Sequence, residues 1–127
     1  MAVYNLSPIF QPQYIANAAA KLTFAPAGGT VVPAGYQYQI SVLRVVNITS
    51  APVTLKLWRV SAAAATTGNE NIVVPVTVLV PVATQTFPHF DATVLWGAVL
   101  NAGDAIWGLA GSASALTISG DGVVVQV

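Results

Sequence analysis

The stretch Tyr36-Gln37-Tyr38-Gln39-Ile40-Ser41-Val42 decides the fold class. Tyr36, Tyr38, Ile40 and Val42 share one parity, and Gln37, Gln39 and Ser41 share the other. In an extended chain successive side chains point to opposite faces. The stretch therefore predicts a strand with one buried and one wetter face. Arg44 breaks the apolar parity, and Val45 with Val46 makes the end two-sided. Residues 47–52, Asn-Ile-Thr-Ser-Ala-Pro, read as a hairpin loop. Residues 53–60 alternate again, with Val53, Leu55 and Leu57 on one face and Thr54, Lys56 and Trp58 on the other.

Outward from this pair the same grammar recurs. Residues 61–71 (SAAAATTGNEN) form a loop with no core contribution of their own. Residues 72–82 carry two short strands or one bent strand. Pro75 and Pro81 cannot donate to a ladder and place that stretch at a sheet edge or bulge. Residues 93–100 predict a strand, and Asn101-Ala102-Gly103-Asp104 its turn, with Gly103 suited to positive φ. Residues 104–109 return. Residues 115–119 and 123–127 read as a closing hairpin around Gly120-Asp121-Gly122. Residues 21–24 make a first short strand. About seven to nine short strands at this spacing indicate an all-β chain, an antiparallel β-sandwich or jelly roll.

The first twenty residues differ. Pro8 and Pro12 interrupt regular structure, and Tyr4, Leu6, Ile9, Phe10 and Tyr14 are scattered apolar anchors. Residues 1–20 are expected to be an extended N-terminal arm, with one helical turn over 15–20, and residues 21–127 the sandwich domain.

Composition narrows the function. The 127 residues hold no cysteine, so disulfides and thiolate metal sites are excluded. Charged residues are 6% of the chain and the formal net charge is zero. A neutral chain lacks the basic footprint of a nucleic-acid binder. Hydrophobic residues make up 55% and mean hydropathy is +0.71, which excludes disorder. No stretch approaches the roughly 20 apolar residues of a spanning helix. Residues 1–10 lack the charged and apolar regions of a signal peptide. A small domain that stays soluble alone carries surface charge. This chain is expected instead to have its faces covered by other subunits.

Sites of chemistry are few. His89 and Asp91 share a parity, and the carboxylate could orient the imidazole, but no nucleophile is spaced to use them. One histidine and scattered carboxylates fall short of a metal shell. The aspartates of the Gly-containing turns, Asp104 and Asp121, read as turn stabilisers. Asn47-Ile48-Thr49 matches a glycosylation sequon and reads as a turn. Arg44, Lys56 and Arg59 would form a basic patch if their strands pair. Trp58 lies on the polar parity of its strand, which makes it the first choice for an interface residue. No catalytic residue, cofactor site or metal site is assigned.

The run of residues 42–71, VLRVVNITSAPVTLKLWRVSAAAATTGNEN, resembles a pattern in small structural proteins of tailed bacteriophages. An apolar strand, an Asn-x-Thr turn, a VTLxLW strand and a Gly/Ala/Asn-rich loop follow in that order. Leu100-Asn101-Ala102-Gly103-Asp104-Ala105-Ile106 and Ala113-Ser114-Ala115-Leu116-Thr117-Ile118-Ser119-Gly120 match its later turn and closing strand. Tyr4-Asn5-Leu6-Ser7-Pro8-Ile9-Phe10 is similar to the opening of some tail-fibre proteins. The resemblance implies a non-enzymatic virion subunit without cofactor, assembled in the host cytoplasm. Within the virion it implies a capsid decoration (cement) protein, a homo-oligomer with a trimer favoured, bound to the major capsid protein. Nucleic acid and membrane are not among the implied partners. A neck or tail-appendage subunit and a carbohydrate-binding module are the alternatives. The expected interface residues are Tyr4, Leu6, Ile9, Phe10, Tyr14 and Trp58.

Overall fold

The computed structural model of the chain describes residues 6–26, 28–62, 72–84 and 89–127, with the backbone alone for 72–79 and Val94. Tyr4 and most of the 61–71 loop lie outside these residues. Nine strands are described: β1 (Ser7–Tyr14), β2 (Ala20–Lys21), β3 (Tyr36–Asn47), β4 (Val53–Val60), β5 (Ile72–Val80), β6 (Phe90–Asp91), β7 (Val99–Leu100), β8 (Ala105–Ala110) and β9 (Leu116–Gln126). They form two antiparallel sheets. The first has the order β1-β9-β3-β6, with β7 also pairing β3. The second has the order β2-β8-β4-β5. The chain is all-β, and one hydrophobic cluster draws on both sheets. Ile9, Leu43 and Ile118 from the first meet Leu55, Leu57 and Ile106 from the second.

The β3 alternation holds, with one interruption. Tyr38 and Ile40 are buried on one parity, then Leu43, Val45 and Asn47 on the other. The switch falls where the register with β9 shifts, between Ile40 and Val42. One extra residue on a strand moves every later side chain to the opposite face. That shift leaves Val42, Arg44 and Val46 on the outer face.

The turn after β3 is not a hairpin. β3 pairs with β9 and β4 with β8, so residues 47–52 carry the chain from one sheet to the other. Asn47, 1% exposed, holds this corner. Its Nδ2 donates to the carbonyls of Ala51 (2.8 Å) and Val80 (2.9 Å). Its Oδ1 accepts from the Thr49 amide (2.9 Å) and hydroxyl (2.7 Å). The side-chain amide is thus consumed as an Asx turn.

Gly120-Asp121-Gly122 is not a turn either. β9 runs unbroken through it. A Cβ on Gly122 would lie 2.0 Å from the Gln39 carbonyl oxygen and 2.7 Å from Ile9 Cγ1; one on Gly120 would lie 2.7 Å from the Val42 oxygen. Here glycine permits close backbone approach where both neighbouring strands bulge.

Residues 93–100 also differ from expectation. Thr93–Leu95 is a 3-10 turn, Gly97 takes φ +83°, and only Val99–Leu100 is strand. Among residues 15–20 there is a bend and no helical turn. β5 is the terminal strand of the second sheet, with register shifts around Pro75, as the prolines led one to expect.

The expected arm is, over Ser7–Tyr14, a strand of the first sheet paired with β9. Pro8 and Pro12 fall in a strand whose register shifts twice. That irregularity brings the adjacent residues Ile9 and Phe10 both into the core, at 0% and 1% exposure. Beyond β1 the ladder continues to residues 23–25, where Gln11 N donates to Thr23 O (3.2 Å) and Ala25 N to Ile9 O (2.7 Å). The Gln13 side chain stands in for a peptide group there. Its Nε2 donates to Thr23 O (2.9 Å) and its Oε1 accepts from Thr23 N (2.9 Å). This side of the two sheets is closed.

Candidate functional site

With the core assigned, functional candidates lie on the two outer faces and the sheet edges. On the second sheet the register aligns Lys21, Trp107 and Trp58 across β2, β8 and β4. The Lys56 ammonium stands 4.7 Å from the Trp58 ring centroid, and that of Lys21 5.8 Å from Trp107. Both are cation–π distances. Trp58 is on the outward parity, as its sequence position indicates, yet only 5% exposed. Trp107 is its cross-strand neighbour and Lys56 lies over its ring. The expectation that Trp58 meets a neighbouring subunit is therefore corrected: it is covered within its own chain. A cleft of about 160 Å³ opens beside this row, lined by Lys21, Val31, Val60, Ala62 and Trp107 among others.

The expected basic patch does not form. Lys56 is outward on the second sheet, and Arg44 is on the first. The Arg59 guanidinium reaches across to the Val99 carbonyl of β7, tying the two sheets. The cause is the sheet-to-sheet corner at Asn47, which separates the strands that a hairpin would have joined.

His89 and Asp91 do come together, with Nε2 3.0 Å from Oδ1 at the β6 edge. Asp91 Oδ1 nonetheless has no hydrogen bond of acceptable geometry. The distance is that of an ion pair and becomes one only when the imidazole is protonated. Arg44 lies opposite Asp91 across the strand pair. Among the described residues no group of three or more His, Asp or Glu side chains could hold a metal.

At one end of the first sheet a cleft of about 260 Å³ is lined by Pro26, Pro33, Tyr36, Tyr38 and Val124. Tyr38 sits edge-on to Phe24, 5.1 Å between centroids. Burial, with Tyr36 alongside, holds its phenol above the ordinary value of 10.0.

The other expected interface residues divide. Ile9 and Phe10 belong to the core and are unavailable to a neighbour. Leu6 and Tyr14, at 65% and 55% exposure, flank β1 on the surface. Trp96 is 40% exposed, and its indole N–H donates to the Leu43 carbonyl (3.3 Å).

The outer face of the first sheet is the broadest candidate. On β9 the half-exposed residues alternate with buried ones from Thr117 to Val123, and on β3 Val42, Arg44 and Val46 do the same. Its charges are Arg44, Asp121 and Asp91, set among Val42, Val46, Val123 and Val125 and the polar Gln37, Gln39, Thr117 and Ser119. No family model matches the chain, and the searches of curated proteins and of solved structures found no match.

Proposed function

We propose that this chain is a non-enzymatic structural subunit of a virion, a capsid decoration protein that stabilises the shell by bridging its subunits. The observation that carries the reading is the outer face of the first sheet. On this face four valines, Val42, Val46, Val123 and Val125, alternate with the uncharged polar residues Gln37, Gln39, Thr117 and Ser119, and charges are few. The fold proposed with it is a jelly-roll β-sandwich. The orders β1-β9-β3-β6 and β2-β8-β4-β5 follow if the chain winds back and forth between two layers as paired Greek keys. The resemblance of residues 42–71, 100–106 and 113–120 to tailed-phage structural proteins supports the virion assignment. Leu6 and Tyr14 are the members of the expected arm still presented to a neighbour.

A neck or tail-appendage subunit would use the same surface at different copy number. Electron cryomicroscopy of particles that carry the chain separates the two. Hundreds of copies spread over the shell are expected. A handful at one vertex would move the assignment to the neck or tail, and absence from particles would overturn both.

A further inference from the structure

We propose that the cleft beside the Lys21–Trp107–Trp58 row binds a carboxylate on a short aliphatic stem, held by the Trp107 indole N–H and the Lys21 ammonium. The site lies on the second sheet and does not rest on the shell contact assigned to the first.

Three observations carry it. The first is an unused donor. Trp107 Nε1 is buried and has no hydrogen-bond partner among the described residues. A buried N–H without an acceptor is costly, and native chains leave few of them. Trp96, by contrast, spends its indole N–H on the Leu43 carbonyl. The one other such buried atom among the described residues, Asp91 Oδ1, has the His89 imidazole 3.0 Å away. Trp107 lines the cleft, so a group bound there can supply the missing acceptor.

The second is charge. Lys21 lines the same cleft. It makes no ion pair among the described residues, where His89–Asp91 is the one such contact. No acidic side chain lines the cleft. Asp104, in the adjoining turn, spends its two carboxylate oxygens on the amides of Ala62 and Asn101. An ammonium beside a neutral N–H donor selects an anion, and the two oxygens of a carboxylate can accept from both. Lys21 is exposed and stands 5.8 Å from the Trp107 ring centroid. The rotamer freedom of its long stem lets it move aside for a ligand and then pair with it.

The third is size. The cleft measures about 160 Å³, and Val31, Val60 and Ala105 give it apolar walls. An engineered apolar cavity of about 150 Å³ accepts benzene, a ligand of about six heavy atoms. Isobutyrate has the same number and joins a branched apolar stem to one carboxylate. A free short-chain acid and the glutamate side chain of another protein present this same chemistry.

A titration of isotope-labelled protein, followed at the indole N–H resonances, tests the site. Trp107→Phe assigns the Trp107 signal, and Trp96 serves as the reference. Sodium isobutyrate is expected to shift the Trp107 signal to saturation. Isobutyramide, its neutral isostere, and sodium chloride at equal ionic strength are expected to act at least about tenfold more weakly. Lys21→Met keeps the apolar stem and removes the charge. It is expected to weaken isobutyrate binding about tenfold and to leave the isobutyramide response unchanged. The amide spectrum checks that the variant is folded. Acetyl-Gly-Glu-Gly amide separates the two sources: tighter binding than isobutyrate assigns the site to a protein side chain, and weaker binding assigns it to a free acid. A Trp107 signal that moves with none of these probes, as when water alone satisfies the N–H, overturns the proposal. So does an equal response to isobutyramide or chloride, or undiminished isobutyrate binding by the folded Lys21→Met variant.

Discussion

Replacing Asn47 tests how the two sheets are joined. In Asn47→Ala four side-chain hydrogen bonds disappear. The bonds at Thr49 and Ala51 face the open side of the corner, where water substitutes. The bond to Val80 is different, because Val80 is 1% exposed and water does not reach its carbonyl. With water replacing the other three, about 1 kcal/mol for the lost Val80 bond and about 2 for its buried carbonyl left without a partner give a destabilisation of about 3 kcal/mol. For a chain of this length that corresponds to a fall in Tm of roughly 10 °C. Asn47→Asp is the sharper variant. It keeps both acceptor contacts to Thr49 but turns a carboxylate oxygen towards the carbonyls of Ala51 and Val80. At pH 7 it is expected to be less stable than the alanine variant. Burial against two carbonyl dipoles raises the folded pKa of the introduced carboxyl above its unfolded value of about 3.9. The unfolded state then releases its proton first as pH rises. The penalty is therefore complete above the folded pKa, fades as pH falls, and vanishes below the unfolded value. Urea unfolding of wild type and both variants between pH 3.5 and pH 7 measures this. A loss under about 1 kcal/mol in the alanine variant, or an aspartate variant that gains nothing as pH falls, would refute the corner as described.

Three other outcomes follow from single contacts. Gly122→Ala places a methyl 2.0 Å from the Gln39 oxygen. It is expected to cost about 3 kcal/mol or more in urea unfolding, while Gly29→Ala, whose nearest contact is 3.7 Å, costs less than about 1. Asp104 accepts from the amides of Asn101 (2.9 Å) and Ala62 (3.2 Å), so Asp104→Ala is expected to lose about 2 kcal/mol and to raise amide exchange at both positions. The Tyr38 phenol ionises less readily folded than unfolded, so its contribution is intact below pH 10 and lost as pH rises through its folded pKa. A Tyr38→Phe variant should lose less stability than wild type between pH 9 and pH 11, read from thermal melts; equal losses would remove Tyr38 as the cause.

What the sequence made legible was periodicity and punctuation. The alternation from Tyr36 placed the core strand, Pro75 and Pro81 marked an edge, and Asp104 beside Gly103 marked a turn that the aspartate side chain holds. What it hid was the identity of each strand's partner. Asn47-Ile48-Thr49 looks the same whether the chain doubles back within one sheet or crosses to the other. The difference lies in Leu116–Gln126, which occupies the place beside β3 that Val53–Val60 would have taken in a hairpin. That one misplacement drew Arg44 towards Lys56 and Arg59, although the three sit in different settings. Gly120-Asp121-Gly122 fails for a related reason. Glycine signals either a free backbone or a crowded one, and the crowding comes from the Gln39 and Val42 carbonyls, about eighty residues upstream. Trp58 shows the limit of parity itself. Alternation assigns a face, but coverage of that face depends on Trp107, which a distant strand brings alongside, as well as on Lys56. Arg44 carries the opposite lesson. Its break in the apolar parity was visible from the start, and the bulge at Ile40–Val42 is what turns it to the outer face that Asp121 shares. Where strand pairing is this non-local, local pattern identifies which side chains are unusual, and topology determines whether two of them form one surface.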